Sequence, residues 1–449
     1  MSDYSNDERA RAPLGPQTGP AGPAAAQTVR DARPLAHDPR TLAPQSNAPH
    51  ATGFQTTGSH ATASHADAPS GHASRSASAP GRPWGGNGQN HRGAGDPKSR
   101  QQQDRGQVYG ALDLGTNNCR LLLARPSRRG FRVVDAFSRI IRLGEGVSQT
   151  GRLSDAAMQR TIDALRVCAS KIARNEVWRA RCVATEACRI AINGRDFLRR
   201  VESEVGLKLE VLDRETEASL AVSGCSSLID HRADYVLVFD IGGGSSELIW
   251  LDLAAARKNA ARDGGSAMTK PVIRAWTSLP VGVVTLAERF GGHHVTEDSF
   301  EAMVDFVSNL VRPFESLHGF RDLANGTNVH LLGTSGTVTT VAGIHLGLKR
   351  YDRTRVDGCW LALPEIRSVT YSLLGRSYDE RVAEPCIGHE RADLVLAGCA
   401  ILEAILRTWP ADRLRVADRG LREGILTTLM SEDGVYRTGR RRRRRSGQH

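Results

Sequence analysis

Two stretches decide the fold: Asp113-Leu-Gly-Thr-Asn-Asn-Cys-Arg120 and, 127 positions later, Asp240-Ile-Gly-Gly-Gly-Ser-Ser-Glu247. Each is an apolar run ending in Asp, a turn of Gly and small polar residues, and a second apolar run. A turn of that kind between two such runs makes a hairpin, and its recurrence marks an internal duplication.

Working outward, Tyr109 to Leu114, Cys119 to Ala124 and Phe131 to Phe137 read as three strands of an antiparallel meander. A helix follows, with Ser154 as its N-cap, Leu153 and Met158 as a hydrophobic staple, and Met158, Ile162, Leu165, Ala169 and Ile172 at helical spacing. A strand near Arg181 to Ala184, a helix opening near Gly194, a strand over Lys208 to Leu212 and a helix starting near Thr216 complete one half. The pattern then restarts with strands at Tyr235 to Asp240, Glu247 to Leu251 and Val272 to Leu279, the polar stretch Asp252 to Lys270 reading as a long connection. A helix over Phe300 to Leu317, a strand over Val329 to Leu332 and a helix over Val338 to Leu346 follow. The fold class is α/β, with two duplicated lobes and a cleft between them.

Residues 1–106 hold no Cys, no Ile, one Val and three Leu among Pro, Gly, Ala, Ser, His and Gln. Such a segment cannot bury enough apolar surface to offset its chain entropy, so a disordered arm is expected. The lobes are expected over 107–233 and 234–436, followed by an Arg-rich tail over 437–449. Of the net charge of +11, the arm carries +3 and the tail +7, which leaves +1 for the lobes. The basic composition is therefore no argument for a nucleic-acid ligand in the folded part. With no run of about 18 apolar residues, no secretory signal and eight Cys without a CxxC pair, a cytoplasmic chain with reduced, packed thiols is expected.

Turns of this composition point backbone N–H groups and hydroxyls at an anion. Thr116, Asn117 and Asn118 in the first, and Gly242, Gly243, Gly244, Ser245 and Ser246 in the second, are candidate phosphate ligands. An Asp beside bound phosphate calls for a cation between them, so Asp240 and Glu247, with Asp113, are candidate Mg²⁺ ligands. Arg120 stands where the second turn has Glu247, which suggests a fixed cation on one wall and a metal on the other; otherwise it is a surface strand residue. Gly333, Thr334 and Ser335, entering a helix, either bind a further phosphate or make a tight strand-to-helix turn. Glu217 lies in the first turn of its helix, either as a base or as an acid that complements the helix dipole.

These residues carry a resemblance. The two turns, Ala184-Thr-Glu-Ala-Cys-Arg189-Ile-Ala-Ile-Asn193, Glu217-Ala218, Leu279-Pro-Val-Gly282, Gly333-Thr-Ser-Gly-Thr337 and Arg419-Gly-Leu-Arg-Glu-Gly424 resemble, in order, the exopolyphosphatase and guanosine pentaphosphate phosphohydrolase family over about 107–430. The glycine turns alone resemble the wider actin, sugar-kinase and heat-shock-chaperone fold. The resemblance implies two ribonuclease-H-like lobes and Mg²⁺-dependent (or Mn²⁺-dependent) removal of a terminal phosphate from inorganic polyphosphate or from guanosine pentaphosphate, giving guanosine tetraphosphate. It implies Glu217 as the catalytic base and Arg189 as a phosphate-binding catalytic arginine, and it allows a homodimer. Two departures stand out: Thr216 precedes Glu217 where many members have a second acid, and a short form without the C-terminal His-Asp domain of longer members is expected. Arg440 to Arg445 are a candidate replacement grip for polyanions, against a merely solvated tail. The competing readings are a nucleotide-dependent kinase, for which no acceptor motif is seen, and a non-catalytic sensor of guanosine tetra- or pentaphosphate.

Overall fold

The computed structural model describes residues 106–128, 130–262 and 272–436. The expected arm up to residue 105 and the tail from residue 437, with its arginine run, lie outside the described residues. The first sheet is built from β1 (Val108–Leu114), β2 (Asn118–Ser127), β3 (Gly130–Ile140), β4 (Val177–Ala184) and β5 (Glu210–Val211), in the order β3-β2-β1-β4-β5. The second contains β6 (Tyr235–Ile241), β7 (Ser246–Asp252), β8 (Val272–Leu279), β9 (Val329–Thr334), β10 (Trp360–Ala362) and β11 (Arg413–Ala417), in the order β10-β11-β9-β6-β7-β8.

The duplication holds at the level of register. β1 pairs antiparallel with β2 and parallel with β4, as β6 pairs antiparallel with β7 and parallel with β9. Asp113 therefore lies opposite Arg120, and Asp240 opposite Glu247. Both central strands are apolar on both faces because helices cover them on both sides. The helix Asp155–Arg174 starts as its sequence requires: Ser154 caps the Ala157 N–H, and Leu153 and Met158 are both buried.

Three elements differ from the sequence reading. Much of the connection after β7 is helical, Leu253–Arg262; its alanines favour the helix, Asp252 accepts from the Ala255 N–H at 2.7 Å, and Leu253 and Ala256 are buried. Only two residues of the expected strand over 208–212 pair with a neighbour. The last helix, Leu421–Glu432, follows the second sheet in sequence but packs on the first: Ile425, Leu426, Leu429 and Met430 share a core with Tyr109, Leu122 and Val183. It crosses the helix Arg214–Cys225 at Gly224 and Gly424, where a β-carbon on either would strike the other helix's backbone or its lead-in. Helix Arg214–Cys225 faces both lobes, with Leu220 in the first core and Ala218 and Val222 in a core shared with Val236 and Val238.

All eight cysteines are free thiols, and Cys119 and Cys168 lie sulfur to sulfur at 3.9 Å. Among the described residues, no helix is long and apolar enough to cross a membrane.

Candidate active site

The two hairpin turns meet. Each is closed by the same bond, Gly115 N–H to the Asn118 carbonyl and Gly242 N–H to the Ser245 carbonyl, both 2.9 Å. A β-carbon on Gly243 would lie 3.0 Å from the Thr116 Cβ and 3.1 Å from the Asn117 nitrogen, so glycine is what lets the turns touch. Across the lobes, Arg142 forms a forked pair with Asp393 at 2.8 and 3.0 Å, and Glu288 accepts from the Gly146 N–H at 2.7 Å and the Ser148 hydroxyl at 2.5 Å.

Between the turns lies a cleft of about 150 Å³. Of the residues picked from sequence, Asp113, Thr116, Asn117, Asn118, Arg120 and Glu217 line it from the first lobe and the bridging helix. Asp240, Gly242, Gly243, Gly244, Ser245, Glu247 and Ser335 line it from the second. Four do not. Ser246 points away from its neighbours Ser245 and Glu247, as strand alternation requires, and its hydroxyl donates to the Val281 carbonyl at 2.7 Å. Gly333 is inside β9, packed against Phe239, and Thr334 ends that strand, lines the adjoining chamber and hydrogen-bonds the Asp240 carboxyl from behind. Arg189 sits behind the cleft wall. Its guanidinium donates to Glu186 at 2.6 and 2.9 Å, to Glu217 at 3.1 Å and to the Leu212 carbonyl, so it reaches carboxylates, not the open cleft.

That arrangement exposes a residue the sequence reading passes over. Glu186, 3% exposed, bridges Arg189 and Arg214, the latter at 2.7 Å, and lines the cleft beside Thr185. It lies inside the quoted segment from Ala184 to Asn193, but only the folded chain shows that its partner Arg189 also holds Glu217. Arg391 is likewise missed, because nothing near it in sequence suggests a ligand; it lines the cleft from the second lobe.

The electrostatics of the cleft are dominated by crowded carboxyls. Burial pushes the Asp113, Asp240, Glu217 and Glu247 carboxyls above the usual carboxylate range. The Asp240 charge adds to the shift at Glu247, and the Glu247 charge to that at Glu217. Arg120 and Arg422 oppose it at Asp113, and Arg189 opposes it at Glu217. The Glu247 carboxylate accepts from the Ser245 and Ser278 hydroxyls, at 2.8 and 3.0 Å on the same oxygen.

Hard carboxylate oxygens that repel one another suit a divalent cation such as Mg²⁺ or Mn²⁺. Among the described residues no three His, Cys, Asp or Glu side chains form a ready metal cage. The fit is thus to an ion that takes one or two protein oxygens and fills its shell with water and phosphate, as Mg²⁺ commonly does.

Compared with known proteins, residues 123–433 match the Ppx/GppA phosphatase family, a span that starts within β2. The guanosine-5'-triphosphate,3'-diphosphate pyrophosphatase of Photobacterium profundum is 28% identical over 337 residues, covering 72% of this chain. The chain spans 60% of the length of that curated relative. A solved Ppx/GppA family member from Aquifex aeolicus is 28% identical with a TM-score of 0.57, covering 73% of this chain and 98% of the other. A solved exopolyphosphatase-like protein is 29% identical with a TM-score of 0.63, covering 72% and 99%. An exopolyphosphatase from Cytophaga hutchinsonii, 24% identical with a TM-score of 0.63 over 73% and 98%, shares the fold.

Proposed function

The chain belongs to the Ppx/GppA phosphatase family, and we propose that it hydrolyses a terminal phosphoanhydride, releasing orthophosphate from inorganic polyphosphate or from guanosine pentaphosphate. The observation that carries this reading is the meeting of both turns and Glu217 on one cleft. Phosphoryl transfer needs little covalent help from protein; positioning and charge compensation supply most of the effect.

The turn N–H groups and the Thr116 hydroxyl hold the terminal phosphate, while the Ser245 hydroxyl is donated to Glu247. Glu217 accepts a proton from the attacking water, and Arg189, clamped by Glu186, fixes the orientation of that carboxylate. Arg189 is thereby a positioning residue. Asp240 and Glu247, with Asp113, would hold Mg²⁺ or Mn²⁺, whose charge would compensate that of the phosphate. Water attack needs no acceptor pocket, which separates this reading from a kinase on the same fold.

The test is incubation with Mg²⁺ and either polyphosphate or guanosine pentaphosphate, without other nucleotide. Orthophosphate release that Glu217→Gln abolishes is expected, and the ratio of kcat/KM on the two substrates ranks them. No release from either, with both still bound, would replace the enzyme by a sensor.

A further inference from the structure

The cleft wall behind Glu217 holds four charges in an alternating row. Arg214 and Glu217 stand three residues apart at the start of the helix Arg214–Cys225, and Glu186 and Arg189 three apart on the short helix Glu186–Ile190. Glu186 joins the two helices. Its Oε1 accepts from the Arg214 Nη2 at 2.7 Å, and its Oε2 from the Arg189 Nε and Nη2 at 2.9 and 2.6 Å. The same Arg189 Nη2 donates to the Glu217 Oε2 at 3.1 Å, while Nη1 is bound to the Leu212 carbonyl. Glu217 accepts no other side-chain hydrogen bond among the described residues.

Glu186 is 3% exposed and lines the cleft beside Thr116 and Gly244 of the two turns. An acid in that place works against an anionic ligand, and its burial is tolerable only because two guanidiniums share it. The compensating effect falls on Arg189. Of the two bonds made by the shared nitrogen, the one to Glu186 is the shorter, so the guanidinium is drawn towards Glu186 and meets Glu217 with one corner. Without Glu186 the fork would be free to close on Glu217 with two parallel bonds, the strongest geometry for an arginine and a carboxylate. A carboxylate gripped on both oxygens is a poorer proton acceptor, because hydrogen bonds to the charged form favour that form.

Resting on the proposed phosphohydrolase reading, we propose that Glu186 is a positioning residue for the water-activating base. It holds the Arg189 fork away from Glu217, so that the base keeps one anchored oxygen and one open to the attacking water. Arg189 orients Glu217, and Glu186 stops that single contact from becoming a forked ion pair that would quench the base. In this role Glu186 acts only through Arg189.

The experiment is a double-mutant cycle on orthophosphate release from inorganic polyphosphate, at fixed pH and saturating Mg²⁺, with full-length Glu186→Gln, Arg189→Met and the double variant. Glutamine keeps the methylene that packs 3.3 Å from the β-position of Gly244 and removes the charge. Glu186→Gln is expected to lower kcat about tenfold, the scale of one charge-assisted hydrogen bond. KM should stay unchanged or fall, because an anion has left the phosphate cleft. In the Arg189→Met background the same change should alter kcat less than about twofold, since no guanidinium is left to release. Glu186→Asp, which keeps the charge, should recover part of the loss; should the Gln variant fail to fold, Asp carries the same comparison across the two backgrounds. Equal loss in both backgrounds, an unchanged kcat, or a rise in KM alone, in variants that melt as the parent does, overturns the proposal and leaves the hydrolase reading in place. No orthophosphate from the parent protein overturns that reading and this role with it.

Discussion

The two hairpin turns share a backbone and differ in charge. Both close with a Gly N–H to carbonyl bond of 2.9 Å, and both place an Asp at the end of the leading strand. Opposite that Asp the first turn carries Arg120 and the second Glu247. The second turn also satisfies its own side chains, Ser245 bonding Glu247 and Ser246 bonding Val281. The first leaves the Asn117 and Asn118 side-chain oxygens buried without a partner. One hairpin geometry thus carries two kinds of side chain: carboxyls with their own hydroxyl donors on the second turn, and amide oxygens without a partner on the first.

The largest effect that can test this division lies between the turns. Glu217→Gln should cut kcat by about 10² to 10⁴, the range ascribed to general base catalysis, with polyphosphate binding retained in a filter or calorimetric assay. Retained turnover would move the base elsewhere and leave the turns as binding elements only.

Next comes the contrast itself. Glu247→Gln should raise the Mg²⁺ concentration for half-maximal rate about tenfold or more, whereas Arg120→Gln should raise KM by a similar factor and leave the Mg²⁺ dependence in place. If both variants shift the same parameter, the turns are not specialised. The pH profile sharpens the point. Burial and then the Glu247 charge raise the Glu217 carboxyl, and the ionised form is the working base, so kcat/KM should climb as pH rises. Arg189 opposes that shift. Arg189→Met should therefore move the rising limb to higher pH, and an unmoved limb would deny Arg189 its positioning role.

Smaller effects come from the glycines. Gly243→Ala puts a methyl group against Thr116 and Asn117 of the facing turn, and should cost about 1–3 kcal/mol in thermal or denaturant unfolding as well as activity. Gly115→Ala meets nothing nearer than the Asn118 carbonyl, at 3.4 Å, and should cost less than half as much. Least of all is Ser335, whose φ of 125° and ψ of 168° lie where glycine is at ease. Ser335→Gly should leave stability unchanged or raise it by up to about 1 kcal/mol in the same melts.

The repeat is legible in the sequence because strand, turn and strand are local and leave a local pattern. So are the Ser154 cap and the first-turn position of Glu217. Direction is harder to read. Ser246 sits in the same glycine-rich stretch as Ser245 but on the other face, and a motif taken whole cannot tell them apart. The resemblance alone makes Arg189 a phosphate ligand, and the sequence does not show the two glutamates that occupy it. Glu186, Arg391 and Arg422 depend on contacts between distant segments, and the last helix reaches β1 from some 300 residues away.

The crossing at Gly224 and Gly424 has a mechanical consequence. Two helices in backbone contact leave no room for a side chain between them, so the two glycines fix how far apart the helices stand. Glu217 and Arg422 each lie within two helical turns of that point on their own helices. A side chain at either glycine, far from any ligand, would therefore shift the acid and the arginine relative to each other.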